Sequence, residues 1–193
     1  MRIRPGEALA HRDLGTNLIR LGKKDDALVE LRVAVRLDPS DPKTRFNLGA
    51  VLESQGSLEE ASSQFEEAVR LEPGSADAHD RVGATLAQLG RSEDAFAHFA
   101  FALRIDPNRA DTQCNWGTAL ANQARYREAA AHFAEAIRLQ PNLARARFSM
   151  AAAMFFLDDY AGAWREVGLA RSHGLEPPPG FISMLSAKMP EPR

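Results

Sequence analysis

A proline recurs every 34 residues through most of this chain of 193 residues. The series is Pro5, Pro39, Pro73, Pro107 and Pro141. The three residues before each of the last four are alike: Arg36–Asp38, Arg70–Glu72, Arg104–Asp106 and Arg138–Gln140. A fixed period of this length indicates that one small structural unit is used repeatedly, each copy burying its apolar face against its neighbours.

Beginning the unit at Ala8 gives five copies that share small and large residues at set positions. The copies are 8–41, 42–75, 76–109, 110–143 and 144–177. The eighth position is small in every copy: Gly15, Gly49, Gly83, Gly117 and Ala151. The twenty-fourth is large: Leu31, Phe65, Phe99, Phe133 and Val167. Because two helices approach to about 8 Å only where side chains are short, this pattern predicts a close helix pair with the large residue between.

Each copy contains two stretches of apolar residues at helical spacing, separated by a short break. Gly22, Gly56 and Gly90 occupy the break in the first three copies, where a helix end favours a left-handed residue. Ala124 and Asp158 replace this glycine in the last two copies, so we expect tighter or strained turns there.

The pattern resembles the tetratricopeptide repeat family. Copies two and three match best, through Asn47-Leu48-Gly49, Ala61, Phe65, Ala68 and Pro73, and through Val82-Gly83, Ala95, Phe99, Ala102 and Pro107. Copy five departs most, with Ala151, Val167 and, in place of the proline, Leu175. The resemblance implies an all-α, right-handed superhelical solenoid of about five helix-turn-helix repeats, with the first helices lining a concave face.

The two ends differ from the repeats. Residues 1–7 look like the tail of a preceding repeat, in register with Arg36–Pro39. Phe181, Met184 and Leu185 share one helical face, so residues 178–193 are predicted to form a capping helix and a frayed tail.

Composition excludes several classes of function. The net charge of -2 argues against a nucleic-acid binder, and one cysteine excludes a disulfide framework. No apolar run is long enough to insert into a membrane, and the N-terminus is not a secretory signal, which favours the cytoplasm if the chain is complete. We expect no catalytic residues, no metal and no cofactor. His98 and His132 lie one period apart, too far to share a zinc ion, and are interpreted as surface residues. Cys114 is predicted to be an inert residue facing the groove.

The resemblance implies a binding groove along the first helices. Its predicted residues are Arg12, Thr16, Lys43, Phe46, Asn47, Asp80, Arg81, Asn115, Thr118, Arg145 and Phe148. A stripe of small residues beside them would leave room for the backbone of a ligand. The predicted partner is a protein or peptide.

Two branches of the family offer specific grooves, and the chain matches each in part. One branch grips acidic C-terminal tails of chaperones with a two-carboxylate clamp. Arg12, Asn47 and Arg81 match it, but Thr16 and Asp77 stand where an asparagine and a lysine are expected. The other, in protein O-linked N-acetylglucosamine transferase, binds a peptide backbone with a ladder of asparagines. Asn47 and Asn115 match that ladder, while Asp13, Arg81 and Ser149 do not.

The sequence therefore predicts a non-catalytic scaffold that holds an extended peptide or a helix in its concave groove. The alternative is a substrate-recruiting segment of a larger enzyme such as a glycosyltransferase, to which Pro179-Gly180-Phe181 and Met189-Pro190 are similar. A third hypothesis is end-to-end self-association through the uncovered first repeat.

Overall fold

The structure, a computed structural model, describes residues 5–192, so residues 1–4 of the expected preceding-repeat tail lie outside the described residues. The described chain contains eleven helices. They are α1 (Pro5–Arg20), α2 (Lys24–Leu37), α3 (Pro42–Ser54), α4 (Leu58–Leu71), α5 (Ala76–Gln88), α6 (Ser92–Ile105), α7 (Ala110–Asn122), α8 (Tyr126–Leu139), α9 (Ala144–Phe156), α10 (Tyr160–Ser172) and α11 (Pro179–Lys188). The predicted all-α repeat class is confirmed.

The helices form hairpins within two compact units. Unit 1 ends at Ile105 and contains α1–α6; unit 2 starts at Asp106 and contains α7–α11. In unit 1 the hairpins are α1–α2, α3–α4 and α5–α6, and α2 and α4 pack against the first helix of the next hairpin. In unit 2 the hairpins are α7–α8 and α9–α10, with α8 packed on α9. None of the described helices has both the length and the apolar character needed to cross a bilayer.

A large side chain on the second helix packs directly on a glycine of the first helix. Phe65 is fully buried, and a Cβ placed on Gly49 would lie 2.8 Å from its ring. On Gly117 a Cβ would lie 2.6 Å from the ring of Phe133. Such distances leave no room for a methyl group, so these glycines are required by the aromatic ring opposite. The fifth hairpin instead places Ala151 opposite Val167, both fully buried, since a smaller partner leaves space for the alanine.

The turns inside the hairpins use left-handed backbone. Gly22, Gly56 and Gly90 have φ of 73°, 79° and 79°. Ala124 and Asp158 adopt the same conformation, with φ of 58° and 63°. The strain expected at these two positions is confirmed, because an L side chain in this region crowds the following carbonyl oxygen.

Replacing Ala124 with glycine should raise the free energy of unfolding by about 1 kcal/mol, because it removes this crowding. The measurement is urea unfolding followed by circular dichroism. Two matched changes should each cost about 1 kcal/mol: Gly56→Ala, which introduces the same strain, and Ala134→Gly, which places glycine at an exposed position within α8. A destabilised Ala124→Gly protein would contradict the assignment of strain.

Helix α11 packs on the last hairpin through two of its three predicted residues. Phe181 and Leu185 are buried in a cluster with Trp164 and Val167. Met184 is 51% exposed, so its predicted place in the cap face is wrong: it lies on the outer side of the helix.

The aromatic residues of α9 divide between the cap and α8. The ring of Phe155 lies 5.8 Å from that of Phe181, as predicted for a residue under the cap. Phe156 stacks on Tyr126 and remains 54% exposed.

Side-chain contacts also hold the segment after α11. Trp164 Nε1 donates to the carbonyl oxygen of Met189 at 2.9 Å. Arg171 pairs with Glu191 at 2.7 Å. The tail predicted to be frayed is therefore attached to α10 as far as Glu191, and Arg193 lies outside the described residues.

Candidate functional site

A groove of about 480 Å³ lies in unit 1, formed mainly by the first helices of its three hairpins. We call it the unit 1 groove. It is lined by Arg12, Asp13, Thr16, Pro42, Lys43, Phe46, Asn47, Ala68, Glu72, Ser75, Asp77 and Ala78. Five of the eleven predicted site residues therefore line one surface: Arg12, Thr16, Lys43, Phe46 and Asn47.

The cation of Arg12 is already paired within the protein. Its guanidinium donates to Asp13 Oδ1 at 3.0 Å and to Asp41 Oδ2 at 3.2 Å. Asp41 caps α3 and also accepts from Thr44 Oγ1 at 2.6 Å and from the backbone N–H of Lys43 at 3.1 Å. Partial burial alone would raise the pKa of Asp41, but these hydrogen bonds outweigh it and the pKa lies below its usual value. An incoming carboxylate would have to displace Asp13 or Asp41 to reach Arg12.

Asn47 is oriented by a short chain of hydrogen bonds. Its Nδ2 donates to Thr16 Oγ1 at 3.0 Å, and the Thr16 hydroxyl donates to the carbonyl oxygen of Arg12 at 2.8 Å. Within the described part of the chain the Asn47 amide makes this one hydrogen bond. Its Oδ1 and second N–H are therefore available to a ligand, and an amide can use both groups on a peptide backbone.

The ring of Phe46 supplies an apolar wall beside Asn47. It meets the buried ring of Phe65 edge to face, with centroids 5.5 Å apart. Phe46 is half-buried, so packing holds one side of the ring while the other can contact a ligand.

Two other residues of unit 1 that were predicted to line the groove, Asp80 and Arg81, are not among its lining residues. Asp80 is only 6% exposed, so it lies within the packed part of α5 and does not line the groove. Arg81 pairs with Glu53 at 3.2 Å. Because Arg12 and Arg81 both have acidic partners and Asp77 lines the groove, the geometry does not favour a two-carboxylate clamp.

The predicted residues of unit 2 separate into a polar cluster and an apolar groove. Arg145 donates to Asn115 Oδ1 and Asp111 Oδ1, each at 2.9 Å. Thr118 and Phe148 line a groove of about 370 Å³, the unit 2 groove. Its lining carries no formal charge and comprises Thr118, Ala121, Asn122, Tyr126, Phe133, Phe148, Ser149, Ala152, Ala153 and Phe156.

The prediction that Cys114 faces the groove is wrong, since the side chain is fully buried.

Across residues 5–192, no three or more His, Cys, Asp or Glu side chains are grouped to hold a metal ion.

Three family models match consecutive parts of the chain. A TPR repeat model matches residues 15–56, and two tetratricopeptide repeat models match residues 55–110 and 110–143. The chain belongs to the tetratricopeptide repeat family. Comparison with curated proteins gives no match.

Solved structures of other tetratricopeptide repeat proteins share the fold. PilF of Pseudomonas aeruginosa aligns with a TM-score of 0.81 and 21% identity, over 94% of this chain and 84% of that one. MamA of Desulfovibrio magneticus RS-1 aligns with a TM-score of 0.76 and 20% identity, over 86% and 94%. YrrB, described as a TPR protein with an unusual peptide-binding site, aligns with a TM-score of 0.70 and 21% identity, over 94% and 92%. At these identities the likeness shows the fold, and the repeats make the chain a protein-interaction scaffold.

Each tetratricopeptide hairpin also carries a polar pair that the sequence analysis missed. The fourth residue of each repeat contacts the twenty-third across the two helices. The pairs are His11–Glu30, Arg45–Gln64, His79–His98, Gln113–His132 and Arg147–Glu166. Both positions hold a polar residue in every repeat, and this pattern in the sequence could have predicted the pairs.

The pairs change the interpretation of the histidines on the second helices. His98 and His132 are half-buried and each contacts the first helix of its own hairpin, so they are not simple surface residues. Partial burial lowers the pKa of both imidazoles, which favours their neutral form.

Proposed function

We propose that this protein holds an extended segment of a partner protein in the unit 1 groove. The observation that supports the proposal is the amide of Asn47, oriented by Thr16 and placed beside the ring of Phe46. Asn47 Oδ1 would accept from a backbone N–H of the partner, while its second N–H donates to a carbonyl oxygen. Because these contacts use the backbone, they suit an extended chain of varied sequence.

Charge in the unit 1 groove indicates which segments are disfavoured. Two cationic and three anionic side chains line it, and Arg12 is already paired with Asp13 and Asp41. An acidic tail would meet Asp77 and Glu72, and of the two lining cations only Lys43 is not already paired with Asp13 or Asp41. We therefore propose a neutral or basic segment with one apolar side chain against Phe46.

The two asparagines of the predicted ladder are not equivalent in this proposal. Asn115 Oδ1 accepts from Arg145, whereas Asn47 donates to Thr16 and keeps its acceptor. The backbone contact is therefore assigned to Asn47 alone, and the work of the groove is binding rather than catalysis.

Asn47→Ala should weaken peptide binding about tenfold, since a peptide hydrogen bond contributes about 1 kcal/mol and the partner groups would be left unpaired. Peptides would first be selected on the intact chain from a randomised phage-displayed library. Their dissociation constants would then be measured by fluorescence polarisation for wild type and variants.

The matched control is Asn142→Ala, which removes the same amide from an exposed turn outside both grooves. It should bind like wild type, and thermal melts should show that both variants are folded. Selected peptides whose affinity is equally unaffected by Asn47→Ala and by Phe46→Ala would rule out the unit 1 groove as their site.

A further inference from the structure

Two imidazoles face each other across the third hairpin. Nδ1 of His79 on α5 lies 3.1 Å from Nδ1 of His98 on α6, and the ring centroids are 5.2 Å apart. No other hairpin among the described residues pairs two histidines at these positions; the equivalent pair in the fourth is Gln113 with His132.

The contacts of His79 determine which nitrogen atoms carry protons. Its Nε2 lies 3.3 Å from the carbonyl oxygen of Pro73, which can only accept, so Nε2 is the protonated nitrogen. In the neutral ring Nδ1 then carries a lone pair. The shared proton therefore belongs to His98 Nδ1, which donates to His79.

We propose that His79 and His98 form a two-histidine binding site for Zn²⁺, with the ion in place of the shared proton. Zinc–nitrogen bonds of 2.0–2.1 Å at a tetrahedral angle place two ligand nitrogens about 3.3–3.4 Å apart. The observed 3.1 Å is close to that separation, so side-chain adjustment alone can admit the ion. His98 moves its proton from Nδ1 to Nε2, and both rings stay neutral.

The surroundings of the pair suit a metal ligand. The hydrogen bond from His79 Nε2 to a backbone carbonyl is the outer contact that ligating histidines usually make, and it fixes the ring. His79 also stacks on Phe101, with centroids 5.3 Å apart. This packing limits the loss of side-chain freedom when an ion binds.

Nearby charged groups have opposing effects on positive charge at the two imidazoles. Glu66 on α4 and Asp94 on α6 act favourably on positive charge at His98, while Arg104 on α6 opposes it at His79. The pKa of each imidazole is lowered, first by partial burial, so at neutral pH protons compete little with zinc.

The site supplies two protein ligands, and water would complete the coordination. Zinc would enter from the side of His98, which is half-buried, whereas His79 is buried. Binding would join α5 to α6 within unit 1.

The test is titration of the intact chain, without an affinity tag, with zinc chloride in a calorimeter. Imidazole nitrogen signals would be recorded in parallel by NMR. We expect saturable binding with shifts at Nδ1 of both histidines. His98→Gln, which keeps a polar side chain, should weaken binding by at least about tenfold, since losing even an outer contact of a ligand has that effect.

The fourth hairpin supplies matched controls. His132→Gln removes an imidazole from the equivalent position and should leave zinc binding unchanged. Gln113→His should create a second pair opposite His132 and add one zinc ion per chain. Unchanged affinity in His98→Gln, shifts at other histidines only, or no added ion in folded Gln113→His would each overturn the proposal.

Discussion

Replacing Phe65 with alanine should lower the free energy of unfolding by about 3–5 kcal/mol. The ring is fully buried and packs on Gly49, a residue with no side chain that could move into the cavity. Urea unfolding followed by circular dichroism measures the change. The control Leu21→Ala shortens a side chain that is 71% exposed and should change stability by less than about 0.5 kcal/mol. A similar, small effect from both substitutions would contradict the assigned core.

A double-mutant cycle tests the glycine opposite the ring. Gly49→Ala alone should cost about 1–3 kcal/mol, because the new Cβ would lie 2.8 Å from Phe65. Combined with Phe65→Val it reproduces the Ala151–Val167 pair of the fifth hairpin, so the cost of the alanine should largely disappear. Additive effects would mean that the two positions do not determine each other's size.

Deleting residues 178–193 should destabilise the fifth hairpin by several kcal/mol. The deletion removes Phe181 and Leu185 from the cluster that covers Trp164 and Val167, and losing one buried phenylalanine costs about 3–5 kcal/mol. Since repeats contact only their neighbours, the damage should stay local. Hydrogen exchange should accelerate in α9 and α10 and remain unchanged in α3 and α4.

A shorter deletion separates the cap from its tail. Removing residues 191–193 keeps α11 and the Met189 carbonyl bonded to Trp164, and loses the exposed pair between Arg171 and Glu191. Exposed pairs contribute about 0–1 kcal/mol, so exchange in α10 should be nearly that of wild type. Equal protection after the longer deletion would show that α11 does not stabilise the hairpin.

The candidate site was predicted less completely than the repeats. The helical face gave five residues of the unit 1 groove, because first helices at a fixed period present equivalent positions to one side. Asp80 and Cys114 were assigned to that face as well, yet both are buried. They occupy the same repeat position as Arg12 and Phe46, which do line the groove. The packing of neighbouring helices therefore decides whether a side chain at this position is covered.

The sequence by itself determined the period, the all-α class, the small-against-large pairing and the strained turns at Ala124 and Asp158. Each depends on residues within one repeat or at a fixed offset from it, so local geometry and volume are sufficient. Only the tertiary structure decided that Arg12 pairs with Asp41 and that His79 meets His98. These contacts join different helices, and a rotation of either helix about its axis by a few tens of degrees would separate the atoms. That rotation is set by packing over the whole hairpin.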